Sequence, residues 1–210
     1  MNDGHKRILA LQKYQSVKAG LQEFRLDSFI RALEAKKGSN VGKILPFVRG
    51  LRFSALLIYS IREYLSHTNY EVSWGHIIDD NGEFCSRECD IIIHEKGHWQ
   101  RWNGDGAGNP VMDFKFVERN KVIAVVSCKS FIPSQSSVEV EYFNDINTYV
   151  KKVWLFAECC PPNQVTNIRN QAKMVGYEKF WHLYSWERDT NLVNDADEDW
   201  LNFVKTIKEL

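Results

Sequence analysis

No apolar run in the chain approaches the ~20 residues that a membrane-spanning helix requires. The opening residues mix charge with helical periodicity and lack the apolar stretch of a signal peptide. These absences lead us to expect a cytoplasmic protein with no membrane contact. Cysteine is scarce and awkwardly placed: the count of five is odd, and Cys159 adjoins Cys160, which does not suit a disulfide framework. Cys85 and Cys89 are separated by three residues, and no second pair completes a zinc knuckle, so free thiols are expected. An excess of one charge sign is missing too. The 27 Lys/Arg balance 27 Asp/Glu, which argues against a protein that coats nucleic acid indiscriminately. No internal repeat is present.

What is there is enough for a packed core. Hydrophobic residues make up 44% of the chain and aromatics 13%, with seven Trp, so disorder is not the expectation. At 210 residues the chain supports one sizeable domain. Its neutrality hides an asymmetry. Residues 1–52, ending at Arg52, carry eleven Lys/Arg against four Asp/Glu, a local +7 that the remainder cancels. A basic N-terminal part suits phosphate tracking, with Arg52 as one contact, while an acidic remainder suits metal; a solvated helix face is the plainer alternative.

Apolar residues recur at three- and four-residue spacing over 7–35, and again over 50–66, predicting helices. We place an N-terminal helical extension at 1–48 and the main domain at 49–210. The period then changes. Residues 70–78 and 89–94 read as strands, with Asp79-Asp80-Asn81-Gly82 as a turn between them. Residues 97–113 read as an excursion loop, 114–117 and 122–126 as further strands, and Glu118–Lys121 as a turn. A helix over about 138–150, a strand over 152–157, a helix over 165–175, a strand over 180–184 and a helix over 195–210 complete the order.

Two charges sit at the ends of otherwise apolar strands. Asp90 opens the Ile91-Ile92-Ile93 run, and Lys129 closes Val125-Val126-Ser127-Cys128. A charge at a buried strand end is costly unless it is paired, hydrated or bound to metal. Phosphodiester hydrolysis uses such a pair. A carboxylate holds a divalent metal that activates water, and a cation orients that water and offsets developing charge. Asp90 can supply the ligand, Lys129 the cation, and the Cys128 carbonyl a further oxygen. A structural ion pair between strand ends is the competing reading.

The stretch from Asn69 to Val150, with the helix before it, resembles the PD-(D/E)XK nuclease superfamily, whose core runs helix, three strands, helix, strand. The family's first Asp matches Asp90 and its Lys matches Lys129, but Ser127 stands where an acid is expected. The resemblance implies an α/β fold with a central mixed sheet flanked by helices. It also implies a Mg²⁺-dependent DNA endonuclease (Mn²⁺ substituting), of the restriction or phage-defence kind, for which a two-fold dimer suits cutting both strands. Some restriction enzymes are similar in having Ser-x-Lys, with the acid supplied by the following helix. Glu139 and Glu141 lie ten and twelve residues after Lys129. Glu141 is preferred here, because Ser136-Ser137-Val138-Glu139 spells a capping box that would occupy Glu139. Glu88 is a second candidate ligand beside Asp90, and Ser127 a bystander or water-mediated contact. Lys115 and Arg101, near the Gly104–Gly108 loop, are candidate phosphate contacts. A non-catalytic nucleic-acid-binding module, disarmed at Ser127, is the alternative.

A rival motif is His94-Glu95-Lys96-Gly97-His98, which spells HExxH, with Glu118 twenty residues further on as in zinc proteases. That chemistry needs both His on one helical face. Here they follow a strand-forming Ile run and bracket Gly97, so a strand end and a loop are expected instead.

Overall fold

The computed structural model describes residues 41–101, 114–186 and 193–210. The helices expected over 7–35 and the Gly104–Gly108 loop lie outside the described residues. The first helix, α1, spans Val41–Leu65, so it starts well before residue 50 and crosses the 48/49 boundary. The strands follow as β1 (Tyr70–Ile78), β2 (Cys89–Glu95), β3 (Trp99–Arg101), β4 (Phe114–Glu118) and β5 (Val122–Lys129). Then come α2 (Val140–Asn147), β6 (Val153–Cys160), α3 (Val165–Val175), β7 (Lys179–Trp186), β8 (Val193–Asp195) and α4 (Asp197–Lys208).

The strands form one mixed eight-stranded sheet in the order β3-β4-β1-β2-β5-β6-β7-β8. β2 pairs antiparallel with both β1 and β5, while β5, β6 and β7 run parallel. Each face carries its own core. On one, Phe53, Leu57, Ile61 and Leu65 form a four-residue-spaced stripe of α1 that meets Trp200, Phe203 and Ile207 of α4 over Ile91, Ile93 and Phe156. Each such side chain is almost wholly buried and contributes about 1.5–3 kcal/mol relative to exposure. On the other face, Tyr142, Phe143 and Ile146 of α2 and Ile168 and Ala172 of α3 cover Ile92, Val125 and Leu155. Because both faces of β6 are covered, all eight of its residues are buried, as a central parallel strand requires. No helix among the described residues is long and apolar enough to cross a membrane.

Two short strands depart from expectation. β3 forms inside the supposed excursion loop, pairing Trp99 with Val117, and β8 pairs with β7 just before α4. Both are three-residue edge elements, too short to show a two-residue period. β5 ends at Lys129, as the strand-end lysine implied, and its parallel pairing with β6 runs to Lys129↔Ala157.

Candidate functional site

The site is set by where β2 and β5 end. Their register runs Ile91↔Val126, Ile92↔Val125, Ile93↔Ala124, so one further step brings Asp90 opposite Ser127. Asp90 Oδ2 accepts the Cys128 backbone N–H at 2.8 Å. Its other oxygen has no hydrogen bond among the described residues. Burial pushes the Asp90 carboxyl up to about 6, against the opposing pull of the Cys128 N–H and of Lys129; Glu88 and Glu139 add to the rise. Two carboxylates and one ammonium therefore act on one partly buried acid.

Lys129, the last residue of β5, turns its ammonium to Glu139 Oε1 at 2.8 Å, with 27% of the lysine side chain and 46% of the glutamate side chain exposed. Glu139 does not close a capping box. It sits at the N-cap of α2 with no side-chain cap bond, and Ser136 Oγ bonds Ser134 Oγ at 2.8 Å instead. A 3₁₀ turn over Gln135–Ser137 precedes the helix, so α2 starts at Val140, not 138. The acid that meets Lys129 is Glu139, not the preferred Glu141. Glu139 joins the strand ends, while Glu141 is exposed one residue inside α2. Glu141 lines a cleft of about 410 Å³ with Arg87, Ser136, Ser137, Glu139 and Tyr142. Glu88 is also exposed, and its Oε1 accepts the Trp74 indole N–H at 2.7 Å.

Three hydroxyls sit under this cluster. Ser127 is fully buried, and its Oγ has no hydrogen-bond partner, although it lies beside the Tyr177 hydroxyl. The Tyr142 hydroxyl is likewise buried and unpartnered, beside the Cys89 thiol and Asp90. Tyr177 donates to the Glu139 carbonyl oxygen at 3.0 Å. Neither tyrosine was visible as a functional residue from sequence. No short motif marks them.

Mg²⁺ takes oxygen ligands, keeps several waters and commonly needs only one or two protein carboxylates plus substrate phosphate. Asp90, with one oxygen unpartnered, and Glu139, with Oε2 unpartnered among the described residues, match that donor chemistry, and unpartnered buried hydroxyls suit ordered water nearby. Among the described residues, no three His, Cys, Asp or Glu side chains form a ready-made metal cage.

Other expected residues lie elsewhere. Lys115 is 2% exposed, its ammonium 2.9 Å from Glu71 Oε2 and 3.9 Å from the Trp99 ring centroid, so it is committed inside the fold and offers no phosphate contact. The adjacent acid and aromatic face solvate the charge that a surface would otherwise have to hydrate. Arg101 ends β3 and Arg52 lies on α1, but their side chains are outside the described residues. His94 is buried in β2, with Nε2 at 2.9 Å from Ser73 Oγ and Nδ1 at 2.9 Å from the Glu95 carbonyl. His98 follows the Gly97 turn (φ 81°) and faces Glu118 at 3.4 Å. HExxH is therefore strand and turn, without the helix a zinc protease needs. All five cysteines are free.

Ser185, His182 and Asp199 align as hydroxyl, imidazole and carboxylate, at 3.2 Å and 2.6 Å. All three are at most 9% exposed, and Arg169 also binds Asp199 at 2.9 Å. We assign this network to docking α4 on β7: Asp199 also accepts the His182 backbone N–H at 3.0 Å, and the partners hold its carboxyl below the usual range despite burial.

No family model matches the sequence, and no curated protein is recognisably similar to it. Solved structures are. NucC of P. aeruginosa ATCC27853, in its cAAA-bound form, superposes with a TM-score of 0.61 over 97% of this chain and 90% of its own, at 9% identity. NucC of E. coli MS115-1, also cAAA-bound, gives a TM-score of 0.61 over the same shares at 10% identity. At such identities the likeness is one of fold: this chain shares the mixed α/β architecture of these two structures.

Proposed function

We propose that the chain is a Mg²⁺-dependent DNA endonuclease of phage defence, with Asp90 and Glu139 as metal ligands and Lys129 beside the attacking water. The observation that carries this reading is the Lys129–Glu139 contact at 2.8 Å next to a partly buried Asp90 held by the Cys128 N–H. The fold neighbours support it, NucC being a phage-defence nuclease, and favour defence over restriction. Two carboxylates and one ammonium leave a net charge of −1, suited to a divalent cation and then a phosphate.

When bound, the metal would supply Lewis acidity at the phosphate and a more acidic water. The chain's own contribution is positional. Asp90, fixed by the Cys128 amide, presents one free oxygen. Lys129 donates towards Glu139 and orients a water between itself and the scissile phosphate. Its positive charge offsets charge building on the pentacoordinate phosphorus. Ser127, buried with an unpartnered hydroxyl, would contact the site through water. Two symmetric copies would deliver a cut in each strand.

Supercoiled plasmid with Mg²⁺ or Mn²⁺, with and without cAAA because both neighbours carry it, provides the test. Wild type is expected to nick. Lys129→Ala is expected to lose on the order of a hundred- to a thousandfold in rate, the range for removing one charge-stabilising donor. Wild type that binds DNA but never nicks under any of these conditions would instead establish the non-catalytic binding module, which Ser127 at the acid position favours.

A further inference from the structure

We infer that Tyr177 is a positioning residue for the displaced acid: its buried hydroxyl holds the Glu139 main chain so that the Glu139 carboxylate reaches the ends of β2 and β5. The inference rests on the metal-site reading proposed above and adds to it a residue from outside the motif-bearing strands.

Helix N-caps are ordinarily fixed by their own side chain, which bonds a first-turn amide. Glu139 makes no such bond, because its carboxylate is directed to Lys129. The anchor is external. Tyr177 donates its hydroxyl to the Glu139 carbonyl at 3.0 Å across 38 residues of sequence.

Tyr177 is itself held rigidly. It follows Gly176, the left-handed C-cap of α3 (φ 118°), and both backbone amides return to the helix, Gly176 N and Tyr177 N reaching Ala172 O at 3.1 and 3.0 Å. A Cβ on Gly176 would lie 2.5 Å from Phe143 Cζ, so the α2 helix packs directly on this turn. The Phe143 and Tyr177 rings lie 5.0 Å apart, and the next residue ties into β6 through Glu178 N to Val153 O at 3.0 Å. The tyrosine is 3% exposed. Its hydroxyl also lies beside Ser127, where the related motif carries an acid. A serine there leaves the hydroxyl free to serve Glu139, so the substitution at 127 and the recruitment of Glu139 are two sides of one arrangement.

Mn²⁺ binding to the full-length protein, read by electron paramagnetic resonance without DNA, tests the inference independently of cleavage. Tyr177→Phe removes only the hydroxyl. Tyr177→Phe is expected to weaken Mn²⁺ binding about 10–100-fold, the usual cost of losing an outer-shell support, and Glu139→Gln, which removes a ligand, at least as much. The double variant should bind no more weakly than Glu139→Gln alone, because Tyr177 acts through Glu139; a merely structural tyrosine would add its own loss. Wild-type affinity in Tyr177→Phe, or additive losses in the double variant, overturns the inference while leaving the metal site standing. Undiminished binding by Glu139→Gln removes Glu139 as a ligand and the inference with it. Wild-type protein that takes up no Mn²⁺ overturns the metal-site reading itself.

Discussion

Asp90→Asn is expected to abolish cleavage and, at the same time, to stabilise the metal-free protein at alkaline pH. The amide keeps an acceptor for the Cys128 N–H but removes the charge that burial opposes. The sign follows from the shift. The carboxyl rises from an ordinary 3.8 to about 6 on folding, so the folded state holds the proton more tightly than the unfolded state. There is no penalty below the unfolded value. It accumulates between about 4 and 6 and is complete above 6, where it reaches roughly 3 kcal/mol at 1.36 kcal/mol per unit. Urea melts in chelator should therefore show the variant more stable than wild type at pH 8 and equal to it at pH 4. Loss of several kcal/mol of metal-assisted transition-state stabilisation corresponds to a rate on the order of a thousandfold lower or worse. Equal stabilities at pH 8 would mean that the Asp90 charge is already compensated without metal.

Gly75→Ala carries the largest expected cost among single-methyl changes. Gly75 lies in β1, where the pairing with β2 shifts register between Ser73 and Gly75, and it sits opposite Lys115 of β4. A Cβ there would fall 1.8 Å from the Lys115 carbonyl oxygen and 2.8 Å from its carbonyl carbon, and the φ of +152° disfavours a side chain as well. Backbone cannot yield as a flexible side chain would, so destabilisation above about 3 kcal/mol is expected. The register shift aligns Gly75 with Cys89, beside Asp90, so the proposed cleavage activity should fall with stability. Gly50→Ala is the control. It lies in α1 with nothing within 4 Å of the added methyl, and should stabilise by up to about 1 kcal/mol. Thermal melts of the two variants separate the bulge from a general intolerance of Ala for Gly.

The sheet's centre was legible because its residues carry strong local signals. The Ile91–Ile93 run and the Val125-Val126 pair mark β2 and β5, and charges at their ends marked Asp90 and Lys129. What was misread depended on partners distant in sequence. Lys115 looked like an available cation because nothing near it in the chain announces Glu71, 44 residues earlier, as its partner. The Ser136–Glu139 pattern is a sound local capping signal, but an ion pair to Lys129 competes with the cap bond and takes the carboxylate. That exchange puts Glu139, where Glu141 was expected, against Lys129. Tyr142 and Tyr177 carried no sequence signal: their rings are buried, and their hydroxyls have surroundings that only the folded chain defines.

Glu139→Gln and Glu141→Gln, compared in the plasmid-nicking assay with Mg²⁺, test the three-residue site most directly. The two acids are two positions apart in one helical turn, so effects on expression, charge and helix dipole are closely matched. With Asp90, Glu139 and Lys129 forming one site, Glu139→Gln is nearly inactive and Glu141→Gln nicks at close to the wild-type rate. Full activity in Glu139→Gln, with loss in Glu141→Gln, would contradict it.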